Sequence, residues 1–206
     1  MASETVIVDY GTGNLRSVWR ALNRAGVAAT VVSDASGLKN ADRIVMPGVG
    51  NFGRAMSGLR RRGLIEALDD AVLERRVPVL GICLGLELMA RASEESNTAG
   101  LAWIDAKVVR FRPEDPNRHK VPYIGWNGVN KKGDSKLMSG LNGTSEFYFL
   151  HSYYLELADQ NVLAGETFYD RPFPSVVEAD NILGVQFHPE RSHDWGQRVL
   201  QNFLAI

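Results

Sequence analysis

The order of apolar runs and turn residues predicts an α/β protein with a mixed, largely parallel central sheet and helices on both faces. Three observations lead there. Short strand-like runs at 6–9, 28–32, 43–46 and 77–82 punctuate the first half of the chain. Between them apolar residues return at helical spacing, the order expected of βαβ units. The second half carries short runs separated by Gly, Asn, Asp and Pro, which suit antiparallel strands added to the sheet or packed beside it.

Each element has a local reason. Val6, Ile7 and Val8 form a β-branched run that fits a buried strand. Leu15, Val18, Trp19 and Leu22 then fall on one helical face, as do Met56, Leu59, Leu64, Ile65, Leu68 and Val72 further on. The run 77–82 is nearly all apolar, as a central parallel strand requires. Later runs at 108–111, 147–150, 162–168 and 182–187 are expected to be antiparallel strands. A closing helix over 195–204 places Val199, Leu200 and Phe203 on one face. Ligands of such sheets lie beyond the carboxyl ends of the strands. Asp9-Tyr10-Gly11, Pro47-Gly48-Val49-Gly50 and Cys83 would gather there.

Composition narrows the class. The 206 residues suffice for a substantial core, and the absence of repeats or a clear linker suggests one domain spanning 1–206. A net charge of −1 argues against a general nucleic-acid binder. One cysteine forbids an internal disulfide and suits a reducing, cytoplasmic setting. Residues 1–4 run straight into the first strand, so no signal peptide is expected, and no run approaches the length of a membrane span.

That cysteine is the most informative residue. Cys83 sits within Gly81-Ile82-Cys83-Leu84-Gly85, directly after an apolar strand, the layout of a nucleophile elbow. Flanking glycines permit a strained backbone and close approach, and the amides of the following helix would favour a thiolate. A lone cysteine is ordinarily structural. Here His188-Pro189-Glu190 follows a second apolar run, and a histidine with a carboxylate two residues on can take a thiol proton and be oriented by the acid. The reading is a cysteine-dependent acyl-transfer enzyme. Pro47-Gly48-Val49-Gly50 can expose backbone N–H groups to a developing oxyanion, each worth roughly 3–4 kcal/mol of barrier.

Other features carry less. Gly11-Thr12-Gly13-Asn14 has part of a dinucleotide fingerprint, but Arg16 occupies the third glycine position and a tight turn explains the rest. His119, His151, His188 and His193 lack metal-ligand spacing, so neither a metal nor a cofactor is expected. Arg54, Arg60, Arg61 and Arg62 read as a solvated helix face. Lys107, Arg110, Arg112, Arg118 and Lys120 could meet an anionic partner.

With these residues in hand, the chain resembles the class I, or triad, glutamine amidotransferases over nearly its whole length. The Cys83 elbow and His188-Pro189-Glu190 are specific to that superfamily. The resemblance also runs through Asp9 to Leu15, Ser93-Glu94-Glu95-Ser96 and Gly184 to Ser192, and Gly125-Trp126-Asn127 with His151-Ser152-Tyr153 bring it closer to one branch. That branch is the glutaminase subunits of imidazole glycerol phosphate synthase. The resemblance implies attack by Cys83 on the side-chain amide of glutamine, proton transfer by His188, and Glu190 fixing its tautomer. It implies an oxyanion site at Gly48, Val49, Gly50 and Leu84, and a glutamine pocket from Gly85, Glu87, Glu95, His151, Ser152 and Tyr153. It further implies a heterodimer with a cyclase subunit of histidine biosynthesis, met through Asn14, Trp126 and Asn127. The strand 47–50 would turn an amide inward only in the loaded complex.

Two positions depart from the family pattern. Glu87 stands where relatives usually carry glutamine, and a carboxylate cannot donate a hydrogen bond unless protonated. It either binds the substrate ammonium beside Glu95, is held protonated, or marks weakened glutamine chemistry. Tyr123 stands where relatives often have histidine, and is expected near the partner face. Three alternatives stay open. One is a glutaminase subunit for a sugar amidotransferase of surface-polysaccharide synthesis, suggested by 100–106 and 192–196. The others are a cysteine peptidase or γ-glutamyl hydrolase, and a non-catalytic module.

Two outcomes check this reading. His188→Ala should cost at least about 10² in glutaminase turnover, and near-normal turnover would remove the triad. Glu87→Gln should keep or raise that activity, whereas a loss would mean that the carboxylate has a role of its own.

Overall fold

The computed structural model describes residues 4–206, so residues 1–3, on which the expected lack of a leader partly rests, lie outside the described residues. The first half follows the predicted alternation. β1 (Thr5–Val8) leads to α1 (Leu15–Arg24), β2 (Ala29–Val32) and β3 (Arg43–Gly48). α2 (Phe52–Arg61) and α3 (Ile65–Asp69) come next, then β4 (Val79–Cys83) and the short α4 (Leu84–Glu87). The apolar periodicity from Met56 to Val72 therefore spans two helices and the π-helical turn Asp70–Glu74 that continues the second. A turn at Arg62 and Gly63, which sequence spacing does not reveal, interrupts it.

The second half is richer in strands than its apolar runs suggest. β5 (Ala92–Ser93), β6 (Ser96–Ala99) and β7 (Ala106–Arg110) precede β8 (Tyr123–Gly128) and β9 (Asn130–Lys131). β10 (Glu146–His151), β11 (Tyr153–Leu157), β12 (Leu163–Tyr169), β13 (Arg171–Ala179) and β14 (Ile182–Val185) follow, and α5 (His193–Leu204) closes the chain.

The main sheet has eight strands in the order β2-β1-β3-β4-β14-β13-β12-β9. β2, β1, β3, β4 and β14 are parallel, while β13, β12 and β9 add antiparallel. Run 182–187 was expected among the antiparallel additions. Its strand instead lies parallel beside β4, with Gly184 opposite Gly81 and Val185 opposite Ile82. Antiparallel pairing does occur on its other edge, with β13. Two small sheets, β10-β8 and β11-β7-β5-β6, pack beside the main one.

The side-chain alternation of β1 sorts the core into two layers. Val6 and Val8 join Met56, Leu59, Leu64 and Leu68 of α2 and α3 on one face. Ile7 joins Val18 and Leu22 of α1, and Val199, Leu200 and Phe203 of α5, on the other. Both faces of the parallel strands are thus covered, which explains why those strands read as continuous apolar runs.

This topology brings the ends of β3 and β4 together, with Gly48 opposite Cys83. Tyr10, just past β1, is fully buried and donates its hydroxyl to the Pro47 carbonyl at 2.6 Å. The Gly11–Gly13 turn serves the same junction: a Cβ on Gly13 would stand 2.9 Å from the Pro47 oxygen. Arg62, expected on a solvated face, instead reaches back to Asp9, with Nη1 3.0 Å from its carbonyl and 3.2 Å from Oδ2.

Candidate active site

Cys83 is the last residue of β4, and its backbone lies at φ 52°, ψ −109°. A non-glycine residue in that region costs about 1–3 kcal/mol and persists only where its surroundings impose it. Here they do. A Cβ at Gly81 would lie 2.6 Å from the Leu86 nitrogen, and one at Gly85 would lie 1.7 Å from the Met46 oxygen. The chain can fold back so tightly against β3 only where both flanking residues lack side chains. The elbow expected from Gly81-Ile82-Cys83-Leu84-Gly85 is present, although α4 has only four residues.

His188 reaches the same point from beyond β14. Its backbone N–H donates to the Tyr148 carbonyl at 2.8 Å, and its own carbonyl accepts from Ser192 Oγ at 2.6 Å. Ser192 in turn accepts from the Tyr148 N–H at 2.9 Å, so β10 and the start of α5 clamp the histidine. Nδ1 lies 3.0 Å from Glu190 Oε1, and both side chains are almost wholly buried. Nε2 is left to face the Cys83 thiol, and the second Glu190 oxygen, His151 Nε2 and Gln186 Oε1 are buried without a hydrogen-bond partner among the described residues. Such atoms are rare in folded proteins, and their gathering at one place marks a site built for something else to complete.

Burial holds the Cys83 thiol above its ordinary range, against the opposing pull of His188 and the Leu84 amide. The four-residue helix therefore does not deliver the expected thiolate, because desolvation outweighs it. Burial likewise opposes charge on His188, but the Cys83 thiolate and Glu190 overcome it and carry its pKa up to about 10. These two tendencies describe one shared proton, since the imidazolium depends on the thiolate beside it. The penalty on separated buried charges makes thiol and neutral imidazole the resting pair.

A cavity of about 220 Å³ opens in front of the cysteine. Among the residues expected for the site, Val49, Gly50, Cys83, Leu84, Glu87, Glu95, His151, Ser152 and Tyr153 line it. Gly48 and Gly85 are not on its wall: a Cβ on Gly48 would stand 2.5 Å from the Tyr10 hydroxyl and 2.7 Å from Leu84 Cβ. Both glycines pack closely beneath the elbow, where neither could carry a side chain. Glu95 accepts the Phe52 N–H at 2.6 Å, which anchors the start of α2 and the loop before it. His151 Nδ1 lies 2.7 Å from the Tyr153 carbonyl, which fixes the proton on Nδ1 in the neutral ring. Burial pushes its pKa down to about 3, so the ring stays neutral and its Nε2 is left as an acceptor.

Glu87 is buried beside this cavity, and Gln186 Nε2 donates to its Oε1 at 3.0 Å. Burial raises its pKa to about 7, with the nearby Glu95 charge adding to the effect. Gln186, fully buried and with Nε2 3.8 Å from Cys83 Sγ, was not singled out by sequence reasoning. Nor were Pro122 and Leu150, which also line the cavity. Gln186 had a weak signal as a polar residue at the end of an apolar strand; Leu150 had none.

Trp126 lies away from this pocket, half exposed and stacked on His193 at 5.0 Å between ring centroids. Asn127 Nδ2 donates to the Phe168 carbonyl at 2.9 Å, and Ile124 and Phe168 are strongly exposed beside them. Asn14 precedes α1 without capping it through its side chain. Tyr123 is not on this face. It is buried, with its ring centroid 3.8 Å from that of Tyr169 and 5.5 Å from that of Phe149, because alternation along β8 turns it inward.

A strained cysteine at a strand–helix elbow, a clamped histidine–glutamate pair and a polar cavity define a thiol acyl-transfer site on a doubly covered sheet. Comparison with known proteins agrees. The family described as Glutamine amidotransferase class-I matches residues 6–206. Imidazole glycerol phosphate synthase subunit HisH of Bacteroides thetaiotaomicron is 42% identical over 203 residues, covering 98% of this chain and 100% of the relative. Subunit HisH 2 of Pseudomonas aeruginosa is 39% identical over 201 residues, covering 98% of each. In fold, the structure of PurLQS from Thermotoga maritima is similar with a TM-score of 0.77 at 17% identity, covering 100% of this chain and 99% of that one. The chain belongs to the class I glutamine amidotransferases.

The raised Glu87 pKa makes a stability prediction. The folded protein holds this proton up to about pH 7, while the unfolded chain releases it near 4.5. Between those values the folded state binds more protons, so its stability falls as pH rises, by about 3 kcal/mol in all. Glu87→Gln removes that loss. In urea unfolding the variant should gain on the wild type between pH 4.5 and 8, and a pH-independent difference would contradict this.

Proposed function

We propose that this chain is the glutaminase subunit of an imidazole glycerol phosphate synthase, which hydrolyses glutamine and passes ammonia to a cyclase subunit. The observation that carries the reading is the buried Cys83–His188–Glu190 constellation behind a small polar cavity. The subunit names of the full-length relatives supply the particular assignment. None of the helices among the described residues is long and apolar enough to cross a membrane.

In this reading the Cys83 proton moves to His188 as sulfur attacks the δ-carbon of glutamine. Backbone N–H groups of Val49, Gly50 and Leu84 receive the oxyanion. Glu190 holds the imidazolium through Nδ1–H, and Nε2–H then protonates the departing amide nitrogen as the C–N bond breaks. Ammonia leaves, a γ-glutamyl thioester remains on Cys83, and water activated by His188 releases glutamate and restores the thiol. Glu95 and Glu87 give the cavity an acidic end suited to the α-ammonium, with His151, Ser152 and Tyr153 around the rest of the substrate.

Ile124 and Trp126 are exposed on one face of β8, and large exposed apolar side chains of this kind suit a protein partner. We assign this face, with Asn14 and Asn127, to the cyclase in a heterodimer. Gly50 at φ +125° is the joint at which strand 47–50 would turn an amide inward once the partner is loaded. Tyr10 pins the Pro47 carbonyl and so keeps the motion beyond that residue.

The test is glutamate release from glutamine, by the chain alone and with a cyclase subunit plus its nucleotide ligand. Release should be low alone, rise at least tenfold in the mixture and vanish in Cys83→Ser. Release that ignores the cyclase would move the assignment to a sugar-amidating partner.

A further inference from the structure

The hydrogen bonds behind the nucleophile contain a pair that the triad does not use. Gln186 lies one residue beyond β14, fully buried, with Nε2 3.0 Å from Glu87 Oε1 and 3.8 Å from Cys83 Sγ. Its Oε1 is buried without a partner among the described residues. An ionised carboxylate can only accept hydrogen bonds, so Glu87 decides which end of the Gln186 amide faces inward. The NH₂ end is drawn between the carboxylate and the sulfur, and the carbonyl is left unsatisfied. A glutamine at position 87 would impose no such choice. Its own NH₂ could satisfy the Gln186 carbonyl, which frees the Gln186 amide to turn.

We propose that Glu87 and Gln186 form a positioning pair for the nucleophile: the carboxylate fixes the Gln186 amide with its NH₂ toward Sγ, and its charge sets how readily Cys83 gives up its proton. The two effects oppose each other. The amide N–H favours a thiolate, but from 3.8 Å it is a weak donor. The carboxylate is a full charge in a desolvated site, and it raises the Cys83 pKa. Charge outweighs the dipole, so ionised Glu87 restrains Cys83.

Other groups also face Glu87. Tyr10 approaches from the end of β1, Cys83 from β4, Glu95 from the β5–β6 turn, and His188 from beyond β14. The Glu95 charge discourages ionisation of Glu87, whereas His188 and the Gln186 amide favour it. Replacing Glu87 alone leaves all of these in place, so the difference between variant and wild type isolates the pair.

The inference deepens the glutaminase reading, but its test needs neither glutamine nor a cyclase. The rate of Cys83 alkylation by iodoacetamide is followed by intact mass from pH 5.5 to 10 in wild type, Glu87→Gln and Gln186→Met. Wild type should rise slowly across more than two pH units, because Glu87 ionises and opposes the thiolate as it forms. Glu87→Gln should rise in a single sharper step with its midpoint about one unit lower. Gln186→Met, which removes a donor from the carboxylate, should move the Glu87-dependent inflection to higher pH. If that variant does not fold, Gln186→Asn withdraws the amide by one methylene and reads the same shift. Profiles of wild type and Glu87→Gln that superimpose would overturn the proposal. Shifted profiles without glutamate release would leave the pair standing and remove the glutaminase assignment. Glutamate release with coincident profiles would do the reverse.

Discussion

Holding a cysteine at φ 52° requires surroundings that leave its backbone no cheaper arrangement, and much of the molecule serves that end. Cys83 ends a strand flanked by parallel neighbours on both sides, β3 and β14, so β4 cannot shift along its axis without breaking two ladders. The short helix after it is pressed onto Met46 so closely that position 85 admits no Cβ. Relaxing the elbow would mean withdrawing α4 from a fully buried interface. The strain therefore persists, and it points the thiol out of the sheet into the cavity.

The remaining parts of the site are fixed with comparable rigidity by elements distant in sequence. His188 depends on the bond its N–H donates to the Tyr148 carbonyl and on the hydroxyl of Ser192, which touches both. Pro47 is pinned by the Tyr10 hydroxyl, and Glu95 ties the loop after β3 to the edge of the small sheet. Gly48 is held in the ladder with β4 and Asn51 caps α2 by accepting the Arg54 N–H, so only Val49 and Gly50 lie between these fixed points.

Electrostatically the site is a low-dielectric chamber in which every charge must be justified by a neighbour. Burial raises the Cys83 thiol and the Glu87 carboxyl, and lowers the His151 ring to about 3. Only His188 moves against its desolvation, because the Glu190 carboxylate on one side, and the Cys83 thiolate on the other once it forms, favour its charged ring. The thiol and the His151 ring are thus kept neutral, Glu87 is brought to titrate near pH 7, and His188 is prepared to take a proton, a separation of roles produced by environment rather than by residue type.

Much of this was legible in the sequence because local physics carries it. Apolar runs and helical spacing gave the βαβ half. Gly81 and Gly85 announced a turn that only glycine could flank, and His188-Pro189-Glu190 needed just two residues to pair imidazole with carboxylate. What lay beyond reach depended on contacts between remote segments. β14 reads as antiparallel from sequence and lies parallel to β4, because pairing along β4 or against it suits the same apolar run. Alternation along β8 turned Tyr123 into an aromatic cluster and Trp126 outward, a choice that one residue of register decides. That Gly48 and Gly85 are packed too tightly for any side chain depends on Tyr10, Leu84 and Met46, which come from separate elements. Above all, the bond between Glu87 and Gln186 joins positions 99 residues apart. The sequence by itself determined the chemistry, through the residue types and short spacings that make a thiol, a base and an acid. Only the tertiary structure decided how strongly each group is charged, because burial and distance, which set ionisation, exist only once the chain has folded.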